Sequence, residues 1–140
     1  MSALWVAPAH AALGGGEASV RADANELGGA ISVTLLQQYD ILKIATAGGM
    51  RVREFLSRTG VVFAVSWSGP VVPDLQRLLG AHYASYAQAL AALQRPGLQR
   101  SLRIGLPDLI VEVGGHLRAY LGRAYLPALI PAGTSASDLR

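Results

Sequence analysis

The stretch from Val61 to Leu93 constrains the fold most. It opens with Val61-Val62-Phe63-Ala64-Val65-Ser66-Trp67, an apolar run bounded by Gly60 and by Gly69-Pro70. β-Branched and aromatic residues between turn signals read as a strand. At period two, Val61, Phe63, Val65 and Trp67 fall on one buried face. Beyond the break, Leu75, Leu78, Leu79, Tyr83, Tyr86, Leu90 and Leu93 recur at helical spacing. A continuous helix from Pro73 to about Gln94 would be ~33 Å long. Pro73 suits its first turn and Asp74 the positive end of its dipole. Gly80 in the interior costs roughly 1 kcal/mol against alanine and permits a bend. A buried strand feeding a long amphipathic helix is the core of a small α+β domain.

The flanking sequence supplies more strands. Ala30–Leu36 alternates, with Ile31, Val33 and Leu35 on one side and Ser32 and Thr34 on the other. Tyr39–Thr46 is apolar on both faces. Met50–Ser57 sets Arg51, Arg53 and Phe55 opposite Val52, Glu54 and Leu56. Glu54 among its arginines reads as part of a row of surface charges. After the helix, Gln99–Ile104 is a basic loop or short strand, and Leu109–Val113 is a strand. Gly114-Gly115 reads as a hairpin turn, and Leu117–Leu126 as the returning strand. Short turns imply an antiparallel meander, because parallel neighbours need long crossovers. Leu13-Gly14-Gly15-Gly16 reads as a flexible lead, Glu17–Leu27 as a short helix and Ala132–Arg140 as a loose polar tail. The expectation is a curved antiparallel sheet of about five or six strands packed around one long helix, in a cystatin-like or incomplete-barrel arrangement.

Composition narrows the function classes. Hydrophobic residues make up 51% and charged residues 15% of the 140, so the chain has ample apolar surface for one core. Lacking cysteine, it can form no disulfide, thiolate nucleophile or cysteine-ligated zinc site. No stretch approaches the ~20 apolar residues of a membrane-spanning helix. Leu4-Trp5-Val6-Ala7-Pro8 followed by Ala9-His10-Ala11 reads as the end of a signal peptide. Residues 1–11 would then be removed, leaving one domain over residues 12–140, in the periplasm or secreted.

Several segments together resemble a known family. They are Ala12-Leu13-Gly14-Gly15, Ala18-Ser19-Val20, Leu27-Gly28-Gly29, Val52-Arg53-Glu54-Phe55 and Gly60-Val61-Val62-Phe63-Ala64-Val65. Trp67-Ser68-Gly69-Pro70, Pro73-Asp74-Leu75, Gly114-Gly115-His116 and Gly122-Arg123-Ala124-Tyr125-Leu126-Pro127 continue the pattern. The chain is similar to a family of exported proteobacterial proteins classed as domain of unknown function 2844. The resemblance implies export and a single small domain, and brings no activity, cofactor or catalytic residue. Family members carry a full signal peptide, whereas this chain shows only the end of one.

Candidate sites are few. His116 follows the glycine pair, with Glu112 before it and Arg118 after it. A carboxylate beside an imidazole orients a general base, so a small envelope hydrolase using His116 with Glu112 is the alternative reading. The default is a surface pair beside a turn. His82 lies in the helix with Leu78 and Tyr86 at i±4 and so lacks a ligating neighbour. Arg95, Arg100 and Arg103 are not interleaved with the aromatics of a single-strand binder, so no nucleic acid is expected. No cofactor or metal is expected either. The leading expectation is a non-enzymatic module that binds a protein partner in the cell envelope, or a second copy of itself. Ile31, Val33 and Leu35 mark the candidate interaction edge: their strand carries neither charge nor proline, so at a sheet edge it would be either covered by the Glu17–Leu27 helix or paired with another chain. Thr34→Pro is the expected probe of that edge.

Overall fold

The computed structural model describes residues 13–16, 18, 20, 21, 30–93 and 101–140. The strands are β1 (Ala30–Leu35), β2 (Tyr39–Ala45), β3 (Arg51–Ser57), β4 (Val62–Gly69), β5 (Ser101–Gly105), β6 (Ile110–His116) and β7 (Ala119–Tyr125). They form one open seven-stranded sheet in the order β1-β2-β3-β4-β7-β6-β5, antiparallel throughout. The protein is α+β, with more strands than the five or six expected. The additional strand is β5, where the basic segment pairs with β6.

The long helix is interrupted. Asp74 caps α1 (Leu75–Leu79) by accepting from the Arg77 N–H at 3.3 Å. A 3-10 turn over Gly80–His82 leads into α2 (Tyr83–Ala92). Gly80 has φ +54°, which breaks the regular path where a Cβ would be strained. Leu78, Leu79 and Tyr86 reach the core, whereas Leu90 and Leu93 are exposed. The apolar stripe is therefore a core face over its first part only. Of the short helix expected over Glu17–Leu27, helical backbone is present at Ala18, Val20 and Arg21, and Val20 is buried; the rest lies outside the described residues.

The sheet is covered on both sides. On one face Leu42, Ile44, Val52, Val65, Trp67, Val111 and Ala124 pack with Leu78, Leu79 and Tyr86. On the other, Tyr39, Phe55, Phe63 and Tyr125 enclose Leu139. Phe63 therefore lies opposite Val65 and Trp67, not beside them. The register steps from Phe55↔Ala64 to Leu56↔Val62. Phe63 is the extra residue of a bulge, and such an insertion switches the faces of the residues beyond it.

Residues 13–16 and 134–139 are both docked on the rest of the fold. Gly14 N–H donates to the Val62 carbonyl at 2.8 Å, Val62 N–H donates to the Gly15 carbonyl at 2.9 Å, and Gly16 bridges to Val61. These glycines complete the β4 ladder beyond the end of β7, where Leu126 N–H donates to the Phe63 carbonyl at 2.9 Å. Leu13 is buried against the helix-side core. The lead is therefore a docked element. The last residues are likewise no loose tail. Ser135 and Asp138 form a capping box around the 3-10 turn Ala136–Asp138. Thr134 Oγ1 donates to Gln38 Oε1 at 3.0 Å, and Leu139 is 0% exposed.

Two truncations test this packing. Leu139→Ala should cost about 2–5 kcal/mol, the range for deleting a buried leucine side chain. A loose tail would give almost no change in a urea denaturation midpoint. Trp67→Ala should cost about 3–5 kcal/mol by the same measurement.

Candidate functional site

The sheet register assembles one polar row across all seven strands. Ser32, Lys43, Arg53, Ser66, Arg123, Glu112 and Arg103 are successive cross-strand partners. They lie on the face that carries Leu139, because side chains alternate along each strand. The next row on that face brings Arg51, Ser68 and Leu121 side by side. The final segment covers the aromatic half of this face and leaves the polar half bordering a cavity of ≈ 450 Å³. Arg51, Arg53, Arg123 and Arg140 line it with Ser66, Glu112 and Leu121.

Within this cluster Glu112 is held tightly. Its carboxylate accepts from Arg123 Nε at 2.5 Å and from Arg103 Nε at 3.2 Å. The Arg123 hydrogen bond is the main cause of a pKa below the ordinary glutamate range; partial burial opposes it and the positive charges assist it. Arg123 also donates to the Ala136 carbonyl and lies over the Tyr125 ring, 5.6 Å from its centroid. One guanidinium thus ties the sheet row to the final segment. Arg53 donates to the Arg140 carbonyl. Among the described residues, the side chains of Arg51 and Arg140 have no hydrogen-bond or ion-pair partner.

The pair His116 and Glu112 is not brought together. Glu112 lies mid-strand between two arginines, while His116 is exposed at the end of β6. Four residues of strand separate them, roughly 13 Å at about 3.3 Å per residue. The turn falls at Leu117-Arg118, with Gly114 and Gly115 still in β6 paired to β7. Arg118 takes φ +65° in the turn. His82 lies in the 3-10 turn near Gly14. Among the described residues no three His, Asp or Glu side chains gather as they would around a metal ion.

Glu54 is a residue that charge pattern alone misplaces. It is 0% exposed, on the helix-side face, with Leu42 and Val65 as its cross-strand partners. It is not in the surface row of Arg51 and Arg53. A carboxylate at such a depth requires pairing or protonation. Its parity with Val52 and Leu56 is the signal that assigns its face.

β1 is an edge strand of the sheet. Ile31, Val33 and Leu35 are 41%, 53% and 73% exposed. Leu36 N–H donates to the Tyr39 carbonyl at 3.0 Å, and the register keeps Thr34↔Ile41 and Ser32↔Lys43 in phase with that pair. Bonded and non-bonded pairs alternate in an antiparallel ladder. Thr34 N–H therefore faces β2, and the outward donors are those of Ile31, Val33 and Leu35. Thr34→Pro would break the hairpin, so it is the wrong probe of the edge.

Fold and site together define a small α+β protein whose β1, among the described residues, pairs on one side only, with a cationic cavity on the face opposite its helix. The chain belongs to the family described as protein of unknown function (DUF2844), whose model matches residues 9–139. No curated protein and no solved structure matches it. Among the described residues no helix is long and apolar enough to cross a membrane.

The Glu112 cluster predicts a pH dependence. A carboxylate with a lowered folded-state pKa stabilises the fold above its unfolded value of about 4.3. That contribution is lost as the pH falls from there through the lower folded value. Glu112→Gln should lower the urea midpoint at pH 7 and flatten the acid limb of the stability profile below about pH 4.3. A steep limb retained in the variant would assign it to other carboxylates.

Proposed function

We propose that this is a small, non-enzymatic binding protein, exported to the periplasm or secreted, that contacts a protein partner of the cell envelope through the edge of β1. The observation that carries this reading is the edge itself. β1 has no charge and no proline, and three of its apolar side chains are exposed. Natural sheets usually block such edges, because unpaired N–H and C=O groups template another strand. Strand addition by a partner would use the outward groups of Ile31, Val33 and Leu35 for affinity and the neighbouring side chains for specificity. Beside them, a hollow of ≈ 530 Å³ on the helix-side face is lined by Arg21, Leu42 and Leu56. A cystatin-like curvature of the open sheet around its helix belongs to the same reading. Export rests on Ala9-His10-Ala11 and the family resemblance, with residues 12–140 as the mature domain. A second copy of the chain is the other occupant that this edge fits.

Val33→Pro tests the reading. It removes one outward donor and keeps the β1–β2 ladder, a placement that edge strands tolerate. The tagged mature protein is used to capture partners from its native envelope. The variant should stay folded by circular dichroism and lose at least about tenfold in partner affinity, the loss set by one hydrogen bond and a misfitted strand. Val33→Thr keeps the donor and should retain binding. Unchanged capture by Val33→Pro would defeat strand addition. A solution mass of twice that of one chain, reduced to one by Val33→Pro, would assign the edge to self-pairing.

A further inference from the structure

The cationic cavity lies on the opposite face from the side chains of the β1 edge and carries a separate inference. Four arginines line it with one acidic side chain, Glu112. That side chain is already shared by Arg123 and Arg103, and Arg53 donates to the Arg140 main-chain oxygen, so the charges left for a ligand are the side chains of Arg51 and Arg140. Arg51 and Arg140 present guanidinium groups with no partner among the described residues. Arg51 and Arg53 lie two residues apart on β3 and so project from the same face. Ser66 between Arg53 and Arg123, and Ser68 beside Arg51, add hydroxyl groups to the floor. Leu121, exposed at 56%, forms an apolar wall next to these charges. Guanidinium forks match a carboxylate in two-point hydrogen bonds. The volume of ≈ 450 Å³ is that of a small-molecule site and exceeds what a bare inorganic ion fills.

We propose that this cavity binds a small organic anion, a carboxylate on an apolar body. The head group lies between Arg51 and Arg140 over the Ser66 and Ser68 hydroxyls. The body rests on Leu121 and on the methylene stems of the arginines.

The test uses the whole chain, with 4-phenylbutyrate as the probe and 4-phenylbutanol as its neutral counterpart, both titrated by calorimetry. Phenylbutyrate should bind at least about tenfold more tightly than the alcohol, the discrimination expected of one charge-assisted contact. Arg51→Gln and Arg140→Gln should each lose about tenfold. Both side chains lack partners in the fold, so circular dichroism and thermal midpoints should be unchanged. Leu121→Ser should weaken phenylbutyrate and leave inorganic phosphate unaffected. His116→Gln, outside the cavity, should change nothing. Equal binding of acid and alcohol would overturn the proposal, as would undiminished binding by both arginine variants. Binding of inorganic phosphate without binding of phenylbutyrate would overturn it too, by reducing the cavity to a simple ion site.

Discussion

Every side chain of β4 from Val62 to Trp67 is buried, so both faces of the sheet must be covered at its centre. A half-covered sheet would leave Phe63, Phe55 and Tyr39 in water. Their rings pack at 5.7–6.2 Å between centroids, and such aromatic contacts are lost without a lid. The helix serves one face, and the residues around Leu139 serve the other. The fit is close on the helix side as well. A Cβ on Gly122 would sit 2.3 Å from the Trp67 ring, so that position admits only glycine beneath the indole. The final segment meets the polar row only through Arg53 and Arg123, which donate to its main-chain oxygens.

The sheet was largely legible, because its signals are local. Alternation in Ala30–Leu36, the glycine turns before Met50 and Val61, and the run through Trp67 each identify a strand without knowledge of its neighbours. β5 was ambiguous for the opposite reason: Ser101, Arg103 and Gly105 give one face no apolar character, and only pairing with β6 makes it a strand. Three features were not legible. A bulge has no period, so nothing marks Phe63 as the residue that changes sides. A single leucine among Ala132–Arg140 carries no periodicity either, although it is fully buried. The glycines after Leu13 look like a linker because their role is in their backbone groups, which hydrogen-bond to Val62.

The site divides in the same way. The lack of protection on β1 was readable from that segment alone, since absence of charge and proline is a property of one segment, whereas its place at the edge comes from the strand order. Which N–H groups point outward was not, because that depends on the phase of the β1–β2 ladder. The cavity was hidden for a stronger reason: Arg51, Arg123 and Arg140 come from distant parts of the chain, and the strand order alone makes them neighbours. Conversely, His116 and Glu112 are close in sequence and far apart along an extended strand. Sequence proximity exaggerates encounters within β-strands, where each residue advances the chain by about 3.3 Å.

The anchoring of both ends on β4 has a consequence for how the molecule is made. Gly14–Gly16 meet residues 61–62, and Leu139 meets Tyr39, Phe55 and Phe63. The central strand therefore cannot be sealed until residue 139 is in place. Non-local pairings of this kind carry loop-closure entropy that must be met before they stabilise anything, and they slow folding. A growing chain would hold β1–β4 with one face open until the Ala136–Asp138 turn arrives. Closure of the aromatic face thus depends on a residue far along the sequence from the strands it covers, and Leu139 acts as its latch.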